Sequence, residues 1–303
     1  MKYEKLRDFW NNLEVREPMF LRNVVIYPLQ APEEGFSREF LTLEDGGFSI
    51  SELDAPNIDS VMFRSLSNTP FFILDGEELL GAQQDRVVNT SLWLEGAEAF
   101  EIPVSCIEQR RWGGGKVFSP GTTLLTPSLR KVLCEGVTRS LSEGKGYKSD
   151  QRSLWNSINK TLTTLKVSSK TFSFHDAYNN LKNEIESYIE EMKDLGEEIS
   201  GFVIETPALI AVDLFGSRRI LSRFLKKLLR SYLIEGFVGK GRVNLSVKRI
   251  KSFIKSTLIS GFKDYFTPSS VSKEIRFGES SELLGKVLIV EESILHLSLF
   301  KEK

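Results

Sequence analysis

The sequence predicts an α+β protein: a β-rich N-terminal half, a helical middle, and C-terminal β-hairpins packed with basic amphipathic helices. Three observations predict it. Apolar and β-branched runs come in a block between residues 20 and 125, the hydrophobic period turns helical from Thr126, and hairpin signals return after residue 200. Strands grouped in blocks, not alternating one by one with helices, favour α+β over a doubly wound parallel sheet.

Residues 1–19 read as an N-terminal helix or arm. Phe20 to Leu29 reads as a strand, followed by Val61-Met62-Phe63 and by Pro70 to Leu74, which an Asp75-Gly76 turn signal closes. Val87 to Leu94 and Phe100 to Ile107 read as the next two strands, and Gly113-Gly114-Gly115 as a break. Thr126-Pro127 then pairs an N-cap with proline at the first helical position, ahead of Leu129, Val132, Leu133, Val137 and Leu141 at helical spacing. A second helix is expected around Leu154, Ile158, Leu162 and Leu165. A third has Ser173 as its cap, a stripe from Ala177 through Ile185 to Leu195, and a stop at Gly196. Gly201 to Asp213 reads as a hairpin turning at Thr206-Pro207. A helix from Ser217 should bury Ile220, Leu221, Phe224, Leu228, Leu229 and Tyr232 with its basic residues outward, and a second basic helix covers Ser246 to Leu258. Lys286 to Val290 and Ile294 to Phe300 form a hairpin across Glu291-Glu292.

With 303 residues, 41% hydrophobic and 27% charged, the chain has a globular balance and can bury one large core or two smaller ones. No apolar run is long enough to span a bilayer, and residues 1–8 carry no signal-like apolar core, so the expectation is a soluble, cytoplasmic protein with no membrane partner. Two cysteines and two histidines without zinc spacing lead us to expect no zinc, haem or iron–sulfur centre. The net charge of −1 hides a segregation: residues 216–263 hold thirteen basic residues against one acid, Glu235, while Glu33 to Asp59 is acidic. That basic segment permits a phosphate or nucleic-acid partner, or it faces solvent and the acidic part.

Two polar runs beside strands mark the candidate site: Gly76 to Ser91, and Ile102 to Trp112. Charged and amide groups are costly to bury unless they pair or meet a ligand, so such clustering points to a site. Alternation puts Ile102, Val104, Cys106 and Glu108 on one face. Cys106 then continues an apolar face, and as a nucleophile it would need His175 or His296 as a base. Glu108 brings a carboxylate to the end of that face, as a general acid/base, as an acceptor for a ribose hydroxyl, or as the ion-pair partner of Arg86, Arg110 or Arg111. Glu77 and Glu78 are solvated turn residues or carboxylates for Mg²⁺, at most one of them facing a given pocket, and the magnesium question stays open. Gln84, Arg86 and Asn89 form a donor-rich set, with Arg86 suited to a phosphate or carboxylate. Trp112 can stack on a base or cap the core. His296 interrupts an apolar strand as a structural donor, and His175 is expected to be exposed in the first turn of a helix.

The stretches Gly76-Glu77, Gly81-Ala82-Gln83-Gln84-Asp85-Arg86-Val87-Val88-Asn89-Thr90-Ser91 and Pro103 to Trp112 resemble the ARG and rhodanese-phosphatase-superfamily-associated protein domain. Ala211 to Ser217 and Leu295-His296-Leu297-Ser298 resemble its later landmarks, so the likeness implies a single family domain over 20–303. That domain divides into a β-rich part (20–125), a helical part (126–200) and a hairpin-helix-hairpin part (201–303). The family typically has Asn where this chain has Asp85, and often Gly where it has Arg110. The resemblance implies processing of ADP-ribose or a related NAD-derived, phosphorylated ribose compound; if the protein is an enzyme, that is a hydrolase-like activity on a nucleotide or ribose derivative. Carried over by likeness are Glu77, Gln84, Arg86, Asn89, Cys106, Glu108, Gln109, Trp112, Asp213 and His296. Glu108 and Glu77 become the catalytic candidates; Gln84, Arg86, Asn89, Gln109 and Trp112 the ligand-binding ones; Cys106, Asp213 and His296 the minor ones. The alternatives are a non-catalytic nucleotide sensor, or a nucleic-acid-associated protein acting through residues 216–263.

Overall fold

The computed structural model describes residues 2–32, 35–55, 57–192, 198–239, 241, 243, 246–257, 261–269, 271–280 and 283–303. Glu33, Glu34, Leu195, Gly196, Lys240, Arg242 and Leu258 lie outside them. The chain opens with α1 (Lys2–Asn11), β1 (Glu14–Val15), β2 (Met19–Leu21), β3 (Val24–Gln30), β4 (Phe48–Ser51), β5 (Ser60–Ser65) and β6 (Phe71–Ile73). Next come β7 (Glu77–Gly81), β8 (Arg86–Val88), β9 (Leu92–Leu94), β10 (Ala99–Cys106) and β11 (Val117–Leu124). The helices α2 (Pro127–Ser142), α3 (Gln151–Leu165) and α4 (His175–Glu191) precede β12 (Gly201–Glu205) and β13 (Leu209–Phe215). The chain closes with α5 (Arg218–Val238), α6 (Val247–Ser256), β14 (Lys263–Phe266), β15 (Lys273–Ser280), β16 (Leu283–Val290) and β17 (Ser293–Glu302). The protein is α+β.

Local chemistry explains the helix starts. Thr126 caps α2 and accepts from the Leu129 N–H, with Pro127 opening the helix. Ser217 and Ser246 do the same for α5 and α6. The closing hairpin turns at Glu291-Glu292, both at positive φ, and the antiparallel pairing of β12 with β13 brackets Thr206-Pro207.

Several strands differ from the sequence reading. Phe20 to Leu29 is two paired strands, β2 and β3, because the chain reverses at Arg22 in the left-handed region (φ 55°). Val87 to Leu94 is split between two sheets: β8 pairs with β7 and β10, whereas β9 pairs with β6. Polar side chains divert the segment between them: the Asn89 amide donates to Val104 O and Tyr147 O, and Ser91 Oγ donates to Asp75. The strand expected to run to Ile107 ends at Cys106, so Glu108 lies beyond it.

Compactness divides the chain into two units: residues 1–37, 185–265 and 272–303 form one, and residues 38–184 with 266–271 the other. The first is an antiparallel sheet in the order β1-β3-β12-β13-β17-β16-β15-β14, with β2 also on β3. One face, with Val203, Val212, Leu214, Leu297 and Leu299, forms a buried cluster with Leu6, Phe9 and Trp10 of α1 and Ile250, Phe253 and Ile254 of α6. The alternate residues of β13 meet α5, where Phe224 stacks on Phe215 and Tyr232 OH donates to Asp213. The α5 apolar stripe is buried as expected, but Lys227 is buried with it, Arg230 pairs with Glu186 at 2.7 Å, and Arg249 of α6 pairs with Glu205. The basic segment is therefore not uniformly outward. No described helix is long and apolar enough to cross a membrane.

The second unit is built on a closed six-stranded barrel, β10-β5-β4-β11-β7-β8. Directly opposed residues share a face, so Ile50, Phe63, Val61, Ile102, Val104, Val88, Leu79 and Phe118 fill its interior. The opposite row, which includes Glu78, Val87 and Ser105, faces outward.

Candidate functional site

The two polar runs lie side by side and bond to one another. Arg86 is paired with Cys106 across β8 and β10. The Gln84 side-chain amide donates to Glu108 O at 2.9 Å, and the Ile107 N–H donates to Asp85 O. Ser105 Oγ donates to Asn89 Oδ1 at 2.6 Å and meets Ser149 Oγ, while Gln151 brackets the Cys106 backbone through both its amide atoms. Gln84 and Asn89 thus join backbone segments and are themselves fully buried.

Inside the barrel Arg86 and Cys106 continue the apolar rows of Val88 and Val104. The guanidinium contacts Cys106 Sγ through Nη1 and faces Glu52 Oε1 at 3.7 Å through Nη2. Glu52 belongs to the acidic Glu33–Asp59 stretch, yet the structure buries it two residues after Ile50, opposite a cation. Arg86, 2% exposed and neutralised by a carboxylate, is not presented to a phosphate in solvent. Burial pushes the Cys106 thiol up to about 11, against the opposing pull of Arg86, so it is a neutral packing group.

Glu108 lies just beyond β10, where its Oε2 accepts from the Asp85 N–H at 3.0 Å and from Arg111 Nε at 2.8 Å. Burial pushes its carboxyl up, but Arg111, the Asp85 N–H and the Thr171 hydroxyl outweigh burial and hold it below the ordinary value. Arg111 also reaches Asp85 Oδ1 at 3.0 Å, Ala82 O at 2.6 Å and Gly81 O at 3.1 Å. The N–H groups of Gln109 and Arg110 both donate to Thr171 O at 3.0 Å, and Gln109 Oε1 accepts from Asn159. From this clamped base Trp112 projects 64% exposed, so it does not cap the core.

The two glutamates of the first run part company. Glu77 is fully buried and accepts from the Leu74 N–H at 2.8 Å. Glu78 points outward from the barrel wall, and its Oε2 stands 3.0 Å from Nδ1 of His175, the first residue of α4. Neither is the solvated turn residue the sequence suggested. Gly121 of β11 makes this possible: a Cβ there would lie 2.6 Å from Glu78 Oε2. Burial pulls the His175 imidazole down, but Glu78, then Asp85 and Asp176, more than compensate, and the net direction is upward. Its side chain is 20% exposed. Asp85 links this pair to the Arg111 clamp, because Ser173 Oγ donates to Asp85 Oδ2 and accepts the His175 N–H. The sequence suggests an exposed His175, but its pairing with Glu78, 97 residues away in the chain, half-buries it. A histidine opening a helix beside a barrel glutamate is visible only once the strands close. Among the described residues no three His, Cys, Asp or Glu side chains are grouped to hold a metal.

The family model for the ARG and Rhodanese-Phosphatase-superfamily-associated Protein domain matches residues 12–300. The chain belongs to this family. No curated protein and no solved structure matches it. In this member of the ARG and Rhodanese-Phosphatase-superfamily-associated Protein domain family, Asp85 accepts from the Gly81 N–H, Arg111 and Ser173. Arg110 lays its guanidinium 4.2 Å from the ring centroid of Phe172. Two of the minor candidates, Asp213 and His296, do meet, in the sheet unit of this family member. His296 Nε2 lies 3.2 Å from Asp213 Oδ1, Tyr232 OH donates to Asp213 Oδ2 at 2.7 Å, and His296 stacks on Phe215. All three polar groups are buried, which fits a satisfied structural network.

Proposed function

We propose that this family member binds and processes ADP-ribose or a related phosphorylated ribose compound, with the Gln109–Lys116 loop as its recognition element. The observation that carries the reading is Trp112, held 64% exposed between exposed Arg110 and Lys116 on a loop whose base is clamped. Arg111 and the paired N–H contacts to Thr171 order that base in advance, so little ordering remains to be done on binding. An indole in the open offers a nucleobase a stacking surface, and the flanking cations suit a diphosphate. Arg86, by contrast, supports the barrel from inside.

Glu108 favours a second reading, a sensor that binds the same ligand without turnover, because its carboxylate is held ionised and bonded to four donors. Calorimetric titration with ADP-ribose tests recognition, and product analysis separates processing from sensing. Micromolar binding by the native chain that weakens tenfold or more in Trp112→Ala supports the site; equal affinity in both sinks it. A nucleic-acid role through 216–263 draws support from Lys248, Lys251 and Lys255, exposed along α6. It predicts RNA binding that Lys248→Glu/Lys251→Glu abolishes.

A further inference from the structure

We propose that His175 accepts a proton from an attacking water in hydrolysis of a phosphate ester or anhydride, with Glu78 as its positioning residue. This rests on the ligand reading above for what is hydrolysed, but the pair itself is defined by geometry alone.

Glu78 is fully buried on the outer wall of the barrel, and its Oε2 takes Nδ1 of His175 at 3.0 Å. A carboxylate on Nδ1 selects the tautomer with its proton on that atom, leaving the Nε2 lone pair as the base. Nε2 makes no hydrogen bond among the described residues, and the ring reaches solvent. Both ends of the pair are fixed by backbone. Glu78 projects from a barrel strand with Gly121 leaving room for its carboxylate, and His175 opens α4 with its N–H on Ser173 Oγ. The groups facing the imidazole are Glu78 from β7, Asp85 from the loop before β8, Asp176 from α4 and the ring of Tyr178. Asp85 also holds Arg111, so the base and the Trp112 loop share one support.

In the step inferred, a water oxygen forms a bond to phosphorus and its proton passes to Nε2. The bond from phosphorus to the leaving oxygen breaks with its electron pair. The imidazolium, its charge opposed by Glu78, then returns the proton to that oxygen. Such a base contributes about 10²- to 10⁴-fold.

The chain has only two histidines, His175 and His296, so imidazole NMR resolves both, with His296→Gln assigning them. A pH titration of the native protein should show His175 titrating above its ordinary value, with its neutral form protonated on Nδ1. In Glu78→Gln the titration should move to lower pH. A neutral form protonated on Nε2, or a titration that Glu78→Gln leaves in place, overturns the pair without reference to any substrate. Hydrolysis is then followed with ADP-ribose, yielding AMP, and with ADP-ribose 1″-phosphate, yielding inorganic phosphate. His175→Gln should lose about 100-fold or more in kcat while its ADP-ribose Kd stays within about twofold. The acid limb of the rate profile should move down in pH in Glu78→Gln. Binding without hydrolysis of either compound overturns the base and leaves the recognition reading intact. Loss of both binding and hydrolysis in the native chain overturns the recognition reading, while the NMR result judges the pair.

Discussion

The backbone N–H of Asp85 donates to Glu108 Oε2 at 3.0 Å, while Arg111 binds both carboxylates, at 3.0 Å and 2.7 Å. The end of the first polar run is thereby locked to the end of the second. Glu108 is a carboxylate built into that lock.

Replacing Glu108 by Gln keeps the shape and removes the charge, so stability should fall by about 1–3 kcal/mol at neutral pH. The folded carboxyl sits below its ordinary value of 4.5. Its contribution is therefore present above that value and is lost as pH falls through the lower, folded-state value. Urea denaturation of both proteins should show a gap that closes on acidification below about pH 4. A gap unchanged between pH 7 and 3 contradicts the assignment.

Arg86→Met should cost about 3–5 kcal/mol, because it strands the buried Glu52 carboxylate without a counter-charge. Adding Glu52→Leu should restore a substantial part of that loss. Additive effects in the double-mutant cycle would show that the two side chains do not interact.

Trp112→Ala should leave stability within about 0.5 kcal/mol of native, since the indole lies in the open. Stacking on a base is worth about 1–3 kcal/mol, so ADP-ribose affinity should fall while the melting temperature holds. A large drop in melting temperature would mean that the indole packs.

Gly121→Ala places a methyl 2.5 Å from Glu78 Cβ and 2.6 Å from its Oε2. Such overpacking costs about 1–3 kcal/mol, and the displaced carboxylate should let the His175 titration fall. NMR of the two imidazoles reads this directly; a native titration in a destabilised variant would separate the packing effect from the pairing.

Cys106 and Cys134 are both buried, and the Cys106 thiol is raised to about 11. Neither should react with a thiol reagent at pH 8 faster than the protein unfolds, and both should react at once in denaturant. Rapid labelling of one native thiol would place it at an accessible site instead.

Much of the helical part was legible in the sequence because its signals are local. Thr126-Pro127 and Ser217 each act within one turn of themselves, and the α5 stripe needs only its own periodicity. Strand limits were less legible. Asn89 and Ser91 look like members of a continuous Val87–Leu94 strand until their side chains are seen bonding Val104, Tyr147 and Asp75. For the site, the runs containing Arg86 and Glu108 were recognisable because dense polar groups beside strands must be satisfied somewhere. Their partners were not, since Glu52 is 34 residues from Arg86 in the chain, and Asp85 meets Ser173 across 88.

The sequence by itself determined the α+β class, the starts of α2, α5 and α6, the position of both polar runs and the family likeness. These follow from periodicity, capping and residue order, which act over a few residues. Only the tertiary structure decided which wall of the barrel each polar side chain takes. Closing six strands sends alternate residues to opposite sides, so Arg86 and Cys106 turn into the core while Glu78 turns out toward His175. A one-residue difference in a strand thus separates a structural ion pair from a candidate base, and register is a property of the closed sheet.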